Sequence, residues 1–234
     1  MIPKKIHYCW FGRNPKPPLA EKCIASWKKY CPDYEIIEWN EDNFDVSMNA
    51  YTLMCYEQKK YAFLTDYIRL KVLLEHGGLY FDTDVEVLRS FDDLLDQPAF
   101  FGFEDDAHVN TGVGCGCEAG NPAVRTMLAE YDPLLNGDQG VIGCPILNTQ
   151  ALVKHGLALT GEEQHLDHAA IYPADWFNPF DDPTGRLRKT GNTHSIHWYS
   201  KSWMSKTSVL RSMLTRPLHR ILGKDFFRKR RKSK

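Results

Sequence analysis

The sequence predicts an α/β fold organised around a parallel sheet, and three features carry that expectation. Short apolar runs that read as strands alternate with segments of helical periodicity in β-α-β order from residue 6 onward. A helical pattern over Tyr61–His76 stops at Gly77-Gly78, and an apolar strand follows at once. That strand ends on Asp82-Thr83-Asp84, whose carboxylates stand at i and i+2 and therefore share one side of an extended chain.

Taken in order, residues 6–11 are short, aromatic-rich and closed by Gly12, which marks a first buried strand before a Pro-rich loop to Pro18. Residues 19–30 read as a helix and 34–39 as a second strand, with turn and cap chemistry at 40–43 before further helix. Within Tyr61–His76, Phe63, Tyr67, Leu70 and Leu74 recur at helical spacing, and residues 79–81 form the next strand. Residues 99–103 and 109–113 read as strands, 121–135 as a helix, and 140–155 as a loop leading into another helix. The stretch 156–193 is rich in Pro, Asp and Gly without periodicity and reads as loops shaping a cleft, while 194–198 alternates like a strand.

Geometry ties the helix to the acids. Arg69 stands roughly two turns before Gly77, about 10 Å at 1.5 Å per residue, and the strand beyond returns a similar distance at about 3.3 Å per residue. A tight turn at Gly77-Gly78 thus brings Asp82 back beside Asp66 and Arg69, which are i,i+3 neighbours on one helical face.

A chain of 234 residues with 43% hydrophobic content buries a substantial core, read as one large domain over residues 1–215 and a basic tail over 216–234. The formal charge of -1 hides this asymmetry, because residues 82–106 are acid-rich. Seven scattered cysteines lack the spacing of a zinc site or a disulfide framework, so a reducing cytoplasm is the expected setting. No apolar signal core opens the chain and no run approaches the roughly 20 apolar residues of a spanning helix.

Asp82 and Asp84 offer hard oxygen ligands that suit Mg²⁺ or Mn²⁺, cations that complete their shells with water and phosphate oxygens. The bland alternative is a pair of solvated turn caps, and for Asp66 with Arg69 a helical ion pair worth about 0.2–0.5 kcal/mol. Trp10 reads either as a core aromatic or as a flat surface for a nucleobase. His197 is a competent metal ligand when neutral, and the Ser202 hydroxyl and Trp203 indole N–H are candidate donors to phosphate. Cys115-Gly116-Cys117 reads as a glycine-rich loop with reduced thiols, and His165 and His168 as surface residues. The run Arg228-Lys229-Arg230-Arg231-Lys232, with Ile221, Leu222, Phe226 and Phe227 upstream, favours anionic lipid over nucleic acid, a solubilising tail being the alternative.

Ile2-Pro3-Lys4-Lys5-Ile6-His7-Tyr8-Cys9-Trp10-Phe11-Gly12, then Thr65-Asp66-Tyr67-Ile68-Arg69, then Gly77-Gly78-Leu79-Tyr80-Phe81-Asp82-Thr83-Asp84-Val85 resemble, in order, the signatures of glycosyltransferase family 32. That family, with its sugar-binding DXD motif, includes bacterial capsule and lipopolysaccharide transferases and yeast mannosyltransferases and is similar to the glucosylating domains of clostridial toxins. The likeness loosens through Asn110 and Gly143-Cys144-Pro145 and returns at His197 and Ser202-Trp203.

The resemblance implies a GT-A fold with a mixed, mostly parallel central sheet flanked by helices. It also implies a nucleotide-diphosphate sugar donor, Mn²⁺ or Mg²⁺, and transfer with retention. By position, Trp10 would stack on the base, Asp66 and Arg69 would hold donor-sugar hydroxyls, and Tyr80 with Asp82 would support the ribose and metal region. Asp84 would bind the metal, His197 would complete its shell, and Ser202 with Trp203 would bind the diphosphate. The toxin-like relatives carry an acidic residue where this chain has His197. Uridine donors and a saccharide or lipid-linked acceptor of surface polysaccharide synthesis, met at the inner face of the cell membrane, are the expected partners. Glu104, Asp105 and Asp106 follow a strand and are candidate acceptor contacts to which no role is assigned. Two other classes fit parts of the pattern: a phosphatase with Asp82 as nucleophile and Asp181-Asp182 as later ligands, and a non-catalytic sugar-nucleotide binding module.

Overall fold

The structure is a computed structural model that describes residues 1–201, 204 and 206–222. The chain opens with β1 (Lys5–Cys9), α1 (Pro18–Tyr30) and β2 (Glu35–Trp39), and the strands pair in parallel with Ile6 opposite Ile36. Pro18 opens α1, where its missing N–H costs nothing, and Glu21 and Lys28 with Lys29 sit at the ends that complement the helix dipole. The helix buries Ala20, Cys23 and Trp27.

α2 (Ala50–Glu57) is capped by the Asn49 side chain, which accepts from the Thr52 amide, and α3 (Tyr61–His76) runs directly into the sheet. Gly77 (φ 62°) and Gly78 (φ 98°) make the reversal, a conformation that L side chains resist. Nor is there room for one: a Cβ on Gly78 would lie 2.8 Å from the Lys5 carbonyl oxygen. β3 (Gly78–Tyr80) then joins β1 in parallel with Leu79 opposite Ile6, and β4 (Val85–Val87) leaves the main sheet.

The second half contributes β5 (Ala99–Asp105), β6 (His108–Val109), β7 (Cys115–Cys117), α4 (Pro122–Ala129), α5 (Cys144–Lys154), β8 (Gln164–Leu166) and β9 (Ala169–Tyr172). After these come α6 (Ala174–Phe177), the short pair β10 (Phe180–Asp181) and β11 (Arg186–Leu187), β12 (Ser195–His197) and α7 (Lys206–Leu222). The main sheet has the order β2-β1-β3-β7-β5-β9-β8, with β6 on β5, so parallel pairings at β2-β1-β3 and β5-β9 are joined by antiparallel β7. Alternation along the strands splits the apolar residues between two cores. Leu64, Ile68, Tyr80, Phe101 and Leu152 pack on one face, and Trp27, Leu79, Phe81, Phe100 and Phe177 on the other.

Some expectations about elements change. The strand expected at 109–113 ends at Val109, and residues 110–114 instead turn across the end of β3. Cys115-Gly116-Cys117 is no loop but the central strand β7, and its glycine is explained by the neighbouring aromatic: a Cβ on Gly116 would lie 2.5 Å from the Phe100 ring. The stretch 156–193 holds β9, buried throughout, whose Ala-Ala-Ile-Tyr run is too short to show a period. The helix expected over 121–135 stops at Ala129 and gives way to a 3-10 turn at Asp132–Leu134, where Pro133 removes a backbone donor. The boundary drawn at 215/216 falls inside α7, and the basic run from Arg228 lies outside the described residues.

Candidate active site

Strands β1 and β3 run side by side and deliver their C-terminal ends to one edge, the usual place for a ligand on an open α/β sheet. Trp10 leaves β1 there, and Asp82 and Asp84 leave β3. The late segment is brought in by β12, which pairs antiparallel with β4 so that His197 faces Val85. That register sets His197 Nε2 3.2 Å from Asp84 Oδ1. Asp82, Asp84 and His197 each offer a ligand atom, and the three lie within 4.8 Å of one another.

Asp84 is 8% exposed and anchored from two sides, its Oδ2 accepting from the Ser200 amide at 2.7 Å and its carbonyl from the Trp198 amide at 3.0 Å. Burial works to raise its pKa, but His197 and the Ser200 donors outweigh it and hold the carboxyl below its ordinary range. Burial pushes His197 down, and Asp84, Asp82 and Glu104 together outweigh it and raise its pKa. Its Nδ1 is buried without a hydrogen-bond partner. Asp82 keeps 29% side-chain exposure, so one edge of the carboxylate remains open. Burial, opposed by Arg69, raises its pKa to about 6.

Two carboxylates and an imidazole nitrogen, with Asp82 partly open to the cleft, fit a hard to borderline divalent cation with room for further oxygen ligands. The close approach of two acids beside His197 Nε2 is the strain such an ion relieves.

Behind the acids lies Arg69, 2% exposed, whose Nη2 stands 2.8 Å from Asp82 Oδ1 and 3.1 Å from Asp66 Oδ1. The helical reversal expected from spacing is therefore what places these three groups together. The N-terminus of α5 meets the same cluster, the Cys144 amide donating to Asp66 Oδ2 at 3.3 Å. Tyr80, 1% exposed, does not reach the cleft; its ring lies under the Arg69 guanidinium at 4.8 Å, which makes it a support for that cation.

Trp10 is half-buried, its Nε1 donating to the Asn14 carbonyl at 2.7 Å with the Lys16 ammonium 5.7 Å from the ring centroid. It borders a cleft of about 290 Å³ shared with Arg13, Lys16, Glu38 and Glu41. Ser202 and Trp203 lie outside the described residues. Glu104 accepts from Tyr199 Oη at 3.0 Å, and the Tyr199 ring leans on His197 with centroids 4.2 Å apart. Asp105 pairs with His108 at the surface, and His165 and His168 are exposed. Asp182 holds Lys201 at 2.6 Å and Arg216 at 2.9 Å, which occupies the residue that a phosphatase reading would require as a ligand.

Sequence reasoning passed over Gly112, Ser200 and Tyr199. A Cβ on Gly112 would lie 2.2 Å from Asp82 Oδ2, so the turn after Val109 presses glycine backbone directly on the carboxylate. Only the short Asn110-Thr111-Gly112 turn signal hinted at it. Tyr199 has φ 51°, a strained value for a bulky residue, and no sequence pattern announced it.

With this geometry in view, the chain compares with known proteins as follows. Residues 17–101 match the family described as the glycosyltransferase sugar-binding region containing the DXD motif. The chain is 29% identical over 128 residues to inositol phosphoceramide mannosyltransferase 3 of Schizosaccharomyces pombe, covering 52% of this chain and 35% of that protein. It is 27% identical over 129 residues to Subversion of eukaryotic traffic protein A of Legionella pneumophila, covering 44% of this chain and 20% of that one. The chain thus spans about a third or less of the length of these curated relatives. Among solved structures, PaToxG glycosyltransferase superposes with a TM-score of 0.54 at 20% identity, covering 65% of this chain and 69% of that one.

The fold is of the GT-A type, as in PaToxG glycosyltransferase. Asp66, Arg69, Asp82 and Asp84 all lie within residues 17–101, the stretch that matches the sugar-binding region containing the DXD motif.

Proposed function

We propose that the protein is a metal-dependent, retaining hexosyl- or N-acetylhexosaminyltransferase. It takes its donor from a nucleotide-diphosphate sugar, preferably a uridine one, and delivers it to a saccharide or lipid-linked saccharide in surface polysaccharide assembly. The observation that carries the reading is the convergence of Asp82, Asp84 and His197 within 4.8 Å, beside the Arg69 cluster and at the strand end that also releases Trp10.

In this reading the Trp10 face takes the base, and the cleft bordered by Lys16 and Arg13 takes the nucleoside. Asp84, held by the Ser200 amide, His197 and Asp82, itself paired with Arg69, would hold Mn²⁺ or Mg²⁺. A cation bound there supplies neutralisation of the departing diphosphate. Asp66, fixed by Arg69 and the Cys144 amide, faces the donor sugar hydroxyls. The bond from the anomeric carbon to the diphosphate oxygen breaks and a bond to the acceptor oxygen forms on the same face. The acceptor proton leaves on the diphosphate, so no carboxylate base is required. Glu104, held by the Tyr199 hydroxyl, is the side chain proposed to meet the acceptor.

The fission yeast relative is named for mannosyl transfer to inositol phosphoceramide, which supports keeping mannose among the donors and a lipid-borne molecule among the acceptors. The site of action proposed is the inner face of the cell membrane.

A donor screen in Mn²⁺, scored by release of nucleotide diphosphate with and without saccharide acceptors, tests the reading. Release from one donor class, lost on chelation, is the expected result. Donor binding without release under any acceptor condition would instead identify a binding module, and a covalent phosphoenzyme at Asp82 a phosphatase.

A further inference from the structure

Helix α7 is amphipathic the wrong way round for a surface helix. An ordinary one buries its apolar stripe and shows water its charges. Here the face toward the body is polar. Arg216 Nη2 donates to Asp182 Oδ1 at 2.9 Å, Arg220 Nε to the Thr184 carbonyl at 2.6 Å, and Ser212 Oγ accepts from Lys201 Nζ at 2.9 Å. The opposite face carries Leu210 (58% exposed), Met213 (51%), Leu214 (70%), Leu218 (45%) and Ile221 (80%). Their spacing of three and four residues stacks them in one stripe.

A stripe of this size left in water calls for an apolar medium, and charge says which one. Residues 206–222 contain no Asp or Glu, Arg211 stands exposed beside the stripe, and residues 223–234 are dominated by Lys and Arg. A second copy of the chain would bring two such cationic rims together and repel itself. An anionic bilayer offers hydrocarbon for the stripe and phosphate for the rim, the two requirements of a helix lying in a membrane interface. No described helix is long and apolar enough to cross a membrane.

We infer that α7 is an interfacial anchor: its Leu210–Leu214–Leu218–Ile221 stripe seats in the headgroup layer of an anionic membrane while Arg216 and Arg220 hold the body on top. The consequence for the site is positional. α7 begins a few residues beyond Ser200, whose amide holds Asp84, and Lys201 bridges the two through Asp182 and Ser212. Anchoring the helix therefore fixes the Asp84 end of the cleft at a set height above the lipid. This inference stands apart from the transfer reaction, because a chain that binds vesicles and releases no nucleotide diphosphate would keep the anchor and lose the transferase reading.

The experiment is sedimentation of the full chain with vesicles of phosphatidylcholine alone or mixed with phosphatidylglycerol. Binding is expected only to the mixed vesicles. The double variant Leu214→Glu, Leu218→Glu, whose side chains are exposed and touch none of the site, should bind them at least about tenfold more weakly. The single variant Leu214→Trp, in the same vesicles, should show a blue-shifted indole emission quenched by brominated lipid. Equal vesicle binding by wild type and the double Glu variant, an emission spectrum of Leu214→Trp that vesicles leave unshifted, or a wild-type dimer that the Glu variant dissociates would each overturn the anchor.

Discussion

Arg69 Nη2 donates to Asp82 Oδ1 at 2.8 Å while standing 3.1 Å from Asp66 Oδ1, so a single buried guanidinium joins a helix residue to the first acid of the DXD motif. Burial alone would push the cation toward neutrality, and the two carboxylates keep it charged. Replacing it with an apolar residue leaves two acids facing each other without their shared cation. Arg69→Met is expected to cost about 3–5 kcal/mol of stability and to abolish donor turnover, measured by urea unfolding and nucleotide diphosphate release. Unchanged unfolding would show that the pair carries no structural weight.

Gly112 gives a finer test of the same wall. Its absent Cβ is what lets the 110–114 turn sit on Asp82, and Gly112→Ala places a methyl 2.2 Å from Oδ2. Overpacking of this kind costs about 1–3 kcal/mol, and the carboxylate is the part able to swing. The expected outcome is a folded protein with weakened Mn²⁺ binding, read by circular dichroism and metal titration. Metal affinity equal to wild type would mean that Asp82 is not a ligand.

His7, in the heart of β1, sets an acid limit on the fold. Its Nε2 faces the Gly77 carbonyl at 2.9 Å and its Nδ1 accepts from the Trp39 indole at 3.1 Å, an arrangement only the neutral ring satisfies. Burial lowers its pKa from 6.5 to about 4. In the unfolded chain the ring protonates first as pH falls. Stability is thus full above pH 6.5 and drains away toward pH 4, by roughly 3 kcal/mol at 1.36 kcal/mol per pH unit. Urea midpoints at several pH values should fall more steeply across this window for wild type than for His7→Gln, and parallel curves would contradict it.

How much of this was legible depends on which force wrote each segment. The α3 to β3 reversal was readable because helical spacing, paired glycines and an apolar run all agree, and the meeting of Asp66, Arg69 and Asp82 follows from helix and strand rise alone. β7 was not, because Gly116 answers to the Phe100 ring across the sheet rather than to local strand propensity. Gly112 was missed for the same reason, its constraint being the distant Asp82 carboxylate. His197 was a candidate ligand by its chemistry, but its place in the metal shell came from family likeness, since only the β12–β4 register brings it to Asp84. The inverted polarity of α7 needed the body it packs on, because a helical stripe in sequence does not reveal which side is outside.

Trp10 separates binding from chemistry. If its ring receives the nucleobase, Trp10→Ala removes a stacking contact of about 1–3 kcal/mol, which raises the donor KM roughly five- to 150-fold. The site acids are untouched, so kcat at saturating donor should stay close to wild type. An unchanged KM would place the base elsewhere.

Binding of Mn²⁺, followed by electron paramagnetic resonance in wild type, Asp84→Asn and His197→Ala, tests the cation site directly. One Mn²⁺ bound by the wild type, lost on Asp84→Asn and stripped of its nitrogen coupling by His197→Ala, is the result expected from the cluster of Asp82, Asp84 and His197. Equal Mn²⁺ binding in all three proteins would contradict it.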